Sequence, residues 1–449
     1  MPATTFSRRR FLQSSALATS AAWVSSQVRI QAQKSPGDTV VLGLIGAGGR
    51  GTSHALGFAG LENVQFKHIC DVNPAKASNV ARQVADKQKR EPEVVADFRR
   101  LFDDKDLDAV VIATPEHWHA LATIWACQAG KDVYVEKNPS LTIWEGRKMI
   151  EAARKYRRIV QVGFQNRSAP YAATARDYLR SGKLGRIVLV KVYNLLQGAP
   201  WNPDLTPAPV PAGLDWDRWL GPAPEVPYSP GRAYWYDWWD YCGGVYSGDA
   251  SHQLDLARMV LGDPPAPKST VCLGGNQAFG SKRETPELQC ATYAFDDFTM
   301  TCDSGTATNM MRKSNNDERN GAKWPHWSTN NERIEIYGTQ QLMMLGRHGV
   351  GWQVFETDGK LVAEDKGVHP DKWHRPNFAA CIRSRELPNS DIEQAHHSAN
   401  LVHLANTSFR VGGRQLTFDP VTERFTNHEP ANAFLRPTYR KEFRVPDAV

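Results

Sequence analysis

The chain has 449 residues, of which 41% are hydrophobic and 23% charged, a composition typical of a globular protein with two or three domains. Its formal net charge of +6 comes from the N-terminus, because residues 1–34 carry five basic side chains and no acidic one, whereas the rest of the chain has 49 basic and 48 acidic residues. Nucleic-acid binding therefore lacks electrostatic support, and no nucleic-acid partner is expected.

Residues 1–34 are predicted to be a signal peptide. The segment 7-SRRRFLQ-13 resembles a twin-arginine export signal, with paired arginines followed by a weakly apolar region of alanine, serine and leucine. That region is too short and too polar to span a bilayer stably. The resemblance implies export by the twin-arginine machinery to the periplasm or otherwise out of the cytoplasm, and a disordered basic tail is the alternative.

Residues 38–165 are predicted to form a doubly wound parallel α/β sheet of the Rossmann type. Strand-like apolar runs alternate with helical patterns, as expected when crossover helices cover both faces of a sheet. The strand-like runs lie at 39–46, 66–71, 107–114, 132–136 and 159–164, and the helical patterns lie at 74–87 and 142–156.

The segment 46-GAGGRG-51 follows the first of these runs and opens a helix. Gly46 permits the tight turn, Gly48 lets the backbone approach a pyrophosphate, and Gly51 allows the helix to pack closely. Gly49 and Arg50 complete the loop, where Arg50 would add positive charge near the diphosphate. Free N–H groups at the helix N-terminus would bind phosphate, so the pattern predicts a dinucleotide site, with a plain glycine-rich turn as the alternative.

A carboxylate for the ribose is expected at Asp71, which lies twenty residues after Gly51 at the end of the second run. It can accept hydrogen bonds from ribose hydroxyls and would repel a 2′-phosphate. NAD is therefore the predicted cofactor, and NADP is the alternative because Lys76 lies nearby.

The segment 113-ATPEHWHA-120 follows another strand at the edge where α/β sheets bind ligands. Thr114, Pro115, His117 and His119 are predicted to line the cofactor site. A metal site is not expected, because two histidines at i, i+2 spacing lack a nearby carboxylate pair or a third ligand.

In 132-DVYVEKNPS-140 the strand-like residues lead into Glu136 and Lys137 at the same edge, and both are assigned to the cofactor site. The ammonium of Lys137 would also face the nicotinamide end, where it could orient a substrate hydroxyl and stabilise developing alkoxide charge. A surface lysine after a strand is the alternative.

Residues 166–430 are predicted to form an α+β domain with a mostly antiparallel sheet, followed by a C-terminal tail at 431–449. Residues 196–241 are rich in proline and tryptophan and are predicted to form a functional loop. Strand-like runs lie at 186–194, 268–275, 288–295, 298–304 and 333–339, and helical patterns lie at 170–183, 251–261, 374–384 and 391–412.

Asp249 and His252 lie three residues apart in 242-CGGVYSGDASHQLDLARM-259 and would share a helix face. The imidazole could take a hydroxyl proton near neutral pH, and the carboxylate could hold its tautomer. A helix-capping aspartate beside a helix-face histidine is the alternative, and spacing alone favours it.

The segments GAGGRG, ATPEHWHA, VEKNP and GGVYSGDASHQLD, in this order, resemble the glucose–fructose oxidoreductase / inositol dehydrogenase (Gfo/Idh/MocA) family. The likeness covers nearly the whole chain after the leader, and 163-GFQNRS-168, 214-LDWDRWLGPAP-224 and 419-DPVTERF-425 resemble its exported branch. It implies that Lys137 touches the substrate, that His252 is the acid–base residue and that the chain forms a homo-oligomer. The sequence departs from the family twice: Asn138 stands where proline is usual, and Gly248 stands where an acid four residues before the histidine is common.

The aromatic loop suits a small carbohydrate substrate, because flat rings cover the C–H faces of pyranoses. Six of the fourteen tryptophans lie between Leu196 and Tyr241, and mutual packing of these rings is the alternative. The predicted substrate-binding residues are Lys137, Asn166, Arg167, Tyr193, Trp235, Trp239, Asp249 and His252.

These inferences predict an exported NAD-dependent oxidoreductase acting on a sugar, polyol or glycoside. His252, assisted by Asp249, would remove the hydroxyl proton while hydride leaves the same carbon, and Lys137 would polarise the oxygen. Because free NAD is scarce outside the cytoplasm, the cofactor is expected to be tightly held and recycled. The alternatives are glycoside cleavage through transient oxidation, as in NAD-dependent α-N-acetylgalactosaminidases, and a non-catalytic protein that senses a dinucleotide or a sugar.

Overall fold

Two large β-sheets organise the protein in a computed structural model that describes residues 39–449. The predicted signal peptide lies outside the described residues. The first sheet is parallel throughout and has the strand order β3-β2-β1-β4-β5-β6, which confirms the predicted Rossmann architecture. Its strands are β1 (Val40–Ile45), β2 (Val64–Cys70), β3 (Glu93–Val95), β4 (Ala109–Ile112), β5 (Asp132–Val135) and β6 (Val160–Val162).

Alternate side chains of the parallel strands enter two apolar cores, one on each face of the sheet. In β4, Val110 and Ile112 pack into one core, and Val111 packs into the other. A strand that is buried on both faces has no polar positions, which explains the continuous apolar run. The helices of this half are α1 (Gly49–Phe58), α2 (Pro74–Gln88), α3 (Arg99–Asp103), α4 (His119–Gln128) and α5 (Ile143–Lys155).

The second sheet has ten strands in the order β14-β13-β12-β11-β7-β10-β9-β8-β15-β16. All pairs are antiparallel except β7 with β10, which confirms the mostly antiparallel prediction. The strands are β7 (Ile187–Leu195), β8 (Ser269–Gly275), β9 (Leu288–Ala294), β10 (Thr299–Gly305), β11 (Arg333–Gly338), β12 (Leu342–Gly346), β13 (Gly351–Phe355), β14 (Leu361–Lys366), β15 (Leu416–Asp419) and β16 (Arg424–Phe425).

The remaining helices lie between and after these strands. They are α6 (Pro170–Arg180), α7 (Trp216–Leu220), α8 (Pro230–Ala233), α9 (Ser251–Val260), α10 (Asn316–Arg319), α11 (Asp371–Ser384) and α12 (Ile392–Arg410). None of the helices within residues 39–449 is long and apolar enough to cross a membrane.

The C-terminal part of the chain returns to the first sheet. Phe378 on α11 joins one of the two Rossmann cores, and Phe443, Val445 and Val449 join the other. The predicted tail at 431–449 therefore contributes to the core of the N-terminal half.

Candidate active site

A cavity of about 780 Å³ runs along the carboxyl ends of the parallel strands, where ligands bind in open α/β sheets. Loops after β1, β2, β4 and β5 form one wall, and the 196–241 loop and the second half of the chain form the other. The residues that line the cavity include Gly46, Gly48, Gly49, Arg50, Asp71, Thr114, Pro115, Glu136, Lys137, Trp235, Tyr236, His252, His348 and His369.

The glycine loop provides a cradle at one end of the cavity. Gly46 has a φ of +95°, and a Cβ added there would lie 2.7 Å from the Ala113 carbonyl oxygen. A Cβ on Gly48 or Gly49 would meet no atom within 4 Å, so these positions leave open space in the cavity wall. No side chain caps the N-terminus of α1 at Gly48. Uncapped N–H groups facing such a cradle fit a diphosphate.

Close packing of α1 against the loop explains the glycine at position 51. A Cβ on Gly51 would lie 1.9 Å from the carbonyl oxygen of Gly46, so only glycine lets the helix approach the loop. Gly51 is buried and does not line the cavity.

Asp71 presents a fixed carboxylate beside the cradle. One of its oxygens accepts a hydrogen bond from the Ala47 N–H at 2.7 Å, and the other accepts one from the Asn73 N–H at 2.8 Å. Both bonds orient the side chain at the end of β2, where a ribose would lie. Lys76 is in the same wall.

Glu136 is the centre of a buried charge cluster. Its Oε1 accepts hydrogen bonds from Arg50 Nε at 2.9 Å and lies 2.7 Å from His54 Nε2. Burial would raise the pKa of Glu136, but Arg50, His54 and Lys137 outweigh it and hold that pKa well below the usual range. Arg50 also pairs with Asp371 at 3.1 Å, so the charge predicted for a diphosphate is shared with two carboxylates.

Lys137 reaches across the cavity to the other half of the chain. Its ammonium donates a hydrogen bond to the carbonyl oxygen of Gly248, immediately before α9. The Lys137–Asn138 peptide bond is cis. The contact places Lys137 beside the segment that carries His252.

His252 presents a neutral imidazole to the cavity. It is 6% exposed, and its Nδ1 has no hydrogen-bond partner among residues 39–449. Burial, together with the charges of Lys137 and Arg347, lowers the pKa of His252 well below its ordinary value. The ring is therefore unprotonated at neutral pH, the form in which it can accept a proton.

Asp249 is held by cations rather than by His252. Its Oδ1 accepts a hydrogen bond from Arg347 at 2.9 Å, and its Oδ2 lies 3.3 Å from the ammonium of Lys313. Burial would raise the pKa of Asp249, but these two cations hold it well below the usual range. Asp249 thus acts on His252 through its charge, whereas the sequence predicted a tautomer-holding contact.

Tyr236, which the sequence analysis missed, occupies the space beside Gly248. A Cβ on Gly248 would lie 1.9 Å from the Tyr236 hydroxyl oxygen. Burial and the charge of Asp249 raise the pKa of Tyr236 well above its ordinary value, so the phenol stays a neutral hydroxyl. The glycine at this position is required because a tyrosine from the 196–241 loop fills the volume.

Family models match most of the chain. The model described as "Oxidoreductase family, NAD-binding Rossmann fold" covers residues 40–164, and the family's "C-terminal alpha/beta domain" covers 181–299 and 338–445. The chain belongs to the Gfo/Idh/MocA oxidoreductase family. Its parallel sheet is the NAD-binding domain of that family, and the cradle and Asp71 fit the dinucleotide.

Individual relatives match shorter parts of the chain. A levoglucosan dehydrogenase from Pseudarthrobacter phenanthrenivorans is 28% identical over 260 residues, 54% of this chain and 58% of that protein. An alpha-N-acetylgalactosaminidase from Shewanella oneidensis is 34% identical over 122 residues, 26% of this chain and 27% of that protein. A solved levoglucosan dehydrogenase in complex with NADH and levoglucosan has a TM-score of 0.61 and 19% identity, covering 84% of this chain and 99% of that one. The chain thus spans 58% or less of these two curated relatives, and the structural match establishes the fold.

Three residues that were predicted to line the cofactor or substrate site do not line the main cavity. His119 is buried, within hydrogen-bond distance of the carbonyl oxygens of Asn138 and Thr114, and so supports the turns around Lys137. His117 and Trp239 line a separate cavity of about 340 Å³. His117 Nε2 lies 3.0 Å from the Trp219 carbonyl oxygen, which turns the ring away from the cofactor groove.

Three predicted substrate residues are engaged elsewhere. Arg167 is buried and paired with Asp255 at 2.7 Å and Asp263 at 2.8 Å. Asn166 accepts a hydrogen bond from the His348 N–H at 2.9 Å, so it positions a wall residue rather than forming the wall. Tyr193 lies on β7, and the guanidinium carbon of Arg333 is 3.8 Å from the centroid of the Tyr193 ring.

Most tryptophans of the 196–241 loop pack against one another. Trp216 and Trp238 belong to a small core of their own, and Trp216 stacks on Trp219 at 4.5 Å. Trp235 and Trp219 also line the main cavity. Some rings of the aromatic loop therefore pack against one another, as the alternative interpretation predicted, and others line the cavity, as expected for a carbohydrate site.

Among residues 39–449, no group of three or more His, Cys, Asp and Glu side chains is arranged to hold a metal ion. The missed wall residues His348 and His369 are near neighbours of His252 but lie about a hundred residues later, so no local spacing could have assigned them.

Proposed function

We propose that this chain is an exported oxidoreductase that transfers hydride between a carbohydrate hydroxyl and a tightly held NAD. The observation that carries the proposal is the meeting of Lys137, Tyr236 and His252 in the wall of one cavity that also contains the glycine cradle. A cation, a neutral hydroxyl and an unprotonated imidazole are the groups that an alcohol oxidation needs around the reacting oxygen.

The roles follow from the protonation states. His252 accepts the hydroxyl proton, since its lowered pKa keeps the ring neutral. Lys137 stabilises the negative charge that develops on the oxygen. The bound NAD would accept the hydride from the carbon. Tyr236 donates a hydrogen bond to an oxygen of the substrate, because its raised pKa keeps the proton on the phenol.

A carbohydrate is the substrate class that the wall supports. Trp235 and Trp219 offer flat faces to C–H groups, and Arg319 and the histidines offer polar contacts to hydroxyls. The levoglucosan dehydrogenase among the relatives supports the same class.

Retention of the cofactor is supported by the 196–241 loop, which lies over the groove. Leu214 and Trp219 line the cavity together with Asp71, and the Asp215 N–H donates a hydrogen bond to the Val72 carbonyl oxygen at 3.0 Å. The loop would cover part of a dinucleotide in this groove.

The C-terminal tail holds the loop in place. Arg440 pairs with Asp217 on α7, and the Phe443 ring packs against Trp118 at 5.4 Å. A cofactor enclosed in this way suits export of a loaded, folded protein, which is what a twin-arginine leader at residues 1–34 would require. Retention of the chain in the cytoplasm after substitution of Arg8 and Arg9 by lysine would test the location.

A second candidate is glycoside cleavage through transient oxidation. The local match to an alpha-N-acetylgalactosaminidase favours it, and the same three residues could start that reaction by oxidising a hydroxyl. Assembly into a homo-oligomer also stays a prediction, which sedimentation of the purified chain would test.

The decisive experiment follows the nicotinamide of protein purified in its loaded form while free sugars, polyols and glycosides are added. Lasting reduction by some of them establishes a dehydrogenase and its substrate class. Cleavage of a glycoside without net reduction establishes the second candidate. Protein that holds no nicotinamide and responds to no compound contradicts both candidates and leaves only the fold.

A further inference from the structure

Three histidines form a continuous row in the cavity wall. The rings of His252 and His348 have centroids 4.6 Å apart, and those of His348 and His369 are 5.6 Å apart. They come from α9, from the turn between β12 and β13, and from the loop before α11. All three line the same cavity.

The row leads outward from the reacting position. His252 is buried, whereas His348 and His369 are partly exposed. The Nδ1 of His252 is buried without a hydrogen-bond partner among residues 39–449. At these ring separations, a rotation of one imidazole or one bridging water brings neighbouring nitrogens to hydrogen-bond distance.

All three rings are neutral at neutral pH. Burial is the main cause that lowers the pKa of each, and nearby cations add to it. A neutral imidazole accepts a proton on one nitrogen and donates one from the other, so it passes a proton on without storing it. The charged groups around the row are Arg50, Glu136, Lys137, Asp249, Arg319, Arg347, Asp371 and Arg375.

Each oxidation of an alcohol by NAD releases one proton, and a buried imidazole beside Lys137 and Arg347 is a poor place to keep it. We propose that His348 and His369 relay this proton between His252 and the solvent. The inference rests on the proposed function and deepens it.

Each step of the relay moves one proton from a donor group to the next acceptor. The hydroxyl oxygen loses its proton to His252 as hydride leaves the carbon, His252 passes a proton to His348, and His348 passes one to His369. His369 releases a proton to water, and each ring is again neutral. Asp371 stabilises the charged form of His369 at the outer end of the row. Reduction of a carbonyl runs the same path inward.

The test uses the loaded protein and the sugar that best reduces its nicotinamide. In His348→Gln we expect the rate constant for reduction of the bound nicotinamide to fall by about 10²-fold, with the half-saturating sugar concentration and the cofactor content unchanged. Imidazole added to the buffer should restore turnover in a saturable way, because it replaces the missing proton carrier. The matched control is His326→Gln, an exposed histidine outside the cavity, which should behave like the wild type.

Unchanged turnover in His348→Gln, or a loss that imidazole does not restore, would overturn the relay and leave His348 as a packing residue. If no sugar reduces the nicotinamide, the proposed function fails, and the relay, which serves that oxidation, fails with it.

Discussion

The ammonium of Lys137 donates a hydrogen bond to the backbone carbonyl of Gly248, and this contact joins the end of β5 to the turn that presents His252. The two residues lie 111 positions apart. One belongs to the NAD-binding sheet and the other to the second half of the chain. The contact explains how a lysine at the edge of a parallel sheet and a histidine on a distant helix come to line one cavity.

Lys137→Met should lower kcat by about 10²- to 10⁴-fold, because the charge that stabilises the developing alkoxide is lost. Bound nicotinamide should be retained, since the glycine cradle and Asp71 are untouched. Stopped-flow reduction of the nicotinamide measures the effect. Lys183→Met, at an exposed position on the surface, is the matched control, and an equal loss in both variants would reject the assigned role.

Gly248→Ala should displace Tyr236, because the added Cβ would lie 1.9 Å from the hydroxyl oxygen. Overpacking of this kind costs about 1–3 kcal/mol of unfolding free energy, and turnover should fall as well. Gly60→Ala is the control, since the nearest atoms to its added Cβ are 3.5 Å away. Wild-type stability and turnover in Gly248→Ala would show that Tyr236 moves freely and is not a fixed part of the site.

Arg347→Met should destabilise the fold by up to about 3–5 kcal/mol, because Asp249 and Glu332 lose the buried partner that they share and keep only Lys313 and Arg319. Arg347 is fully enclosed and pairs with both carboxylates. Urea unfolding of the variant, with the exposed Arg100→Met as control, measures the difference. A loss below about 1 kcal/mol, the value of a surface ion pair, would contradict this account.

The same cluster predicts a dependence on acid. Arg347 helps to hold the pKa of Asp249 and Glu332 below their usual range. The stability from a depressed carboxylate is present above its unfolded pKa of about 4 and is lost as the pH falls through the folded pKa. Wild type should therefore lose its advantage over Arg347→Met as the pH falls below about 4.

Buried histidines should add a second acid effect at higher pH. Burial lowers the pKa of His117 and of His374 to about 4. The unfolded chain takes up these protons below about pH 6.5, so the folded state loses stability as the pH falls from there toward 4. The unfolding midpoint measured across this range should decline, and His374→Gln should decline less steeply. A flat profile would contradict the pKa directions.

The sequence located the parts of the site that lie at strand ends. Gly46, Asp71 and Lys137 each follow an apolar run, and a parallel sheet brings such ends to one edge, so their proximity could be predicted without coordinates. His252 was assigned by resemblance, since its spacing from Asp249 alone favoured a structural role. All four line one cavity in the structure.

The missed residues depend on tertiary contacts. Tyr236, Arg347 and His348 reach the site from the 196–241 loop and from the turn after β12, and no periodicity or spacing connects those segments with α9. Likewise, Arg167 and Trp239 are residue types that often line substrate pockets. In the structure, however, Arg167 is paired with the buried Asp255, and Trp239 lines a separate cavity. Short strands were also hard to predict from the sequence: β3 has three residues, and β12 and β13 have five each.

Transfer of deuterium from a sugar carbon to the nicotinamide would show hydride transfer itself. The loaded protein would be mixed with a sugar that reduces its nicotinamide and that carries deuterium on its carbons. The cofactor would then be released and its mass measured by mass spectrometry. We expect the cofactor to gain deuterium in the wild type and not in His252→Gln. A wild-type cofactor that stays free of deuterium while the sugar is converted would contradict hydride transfer, and with it the proposed function.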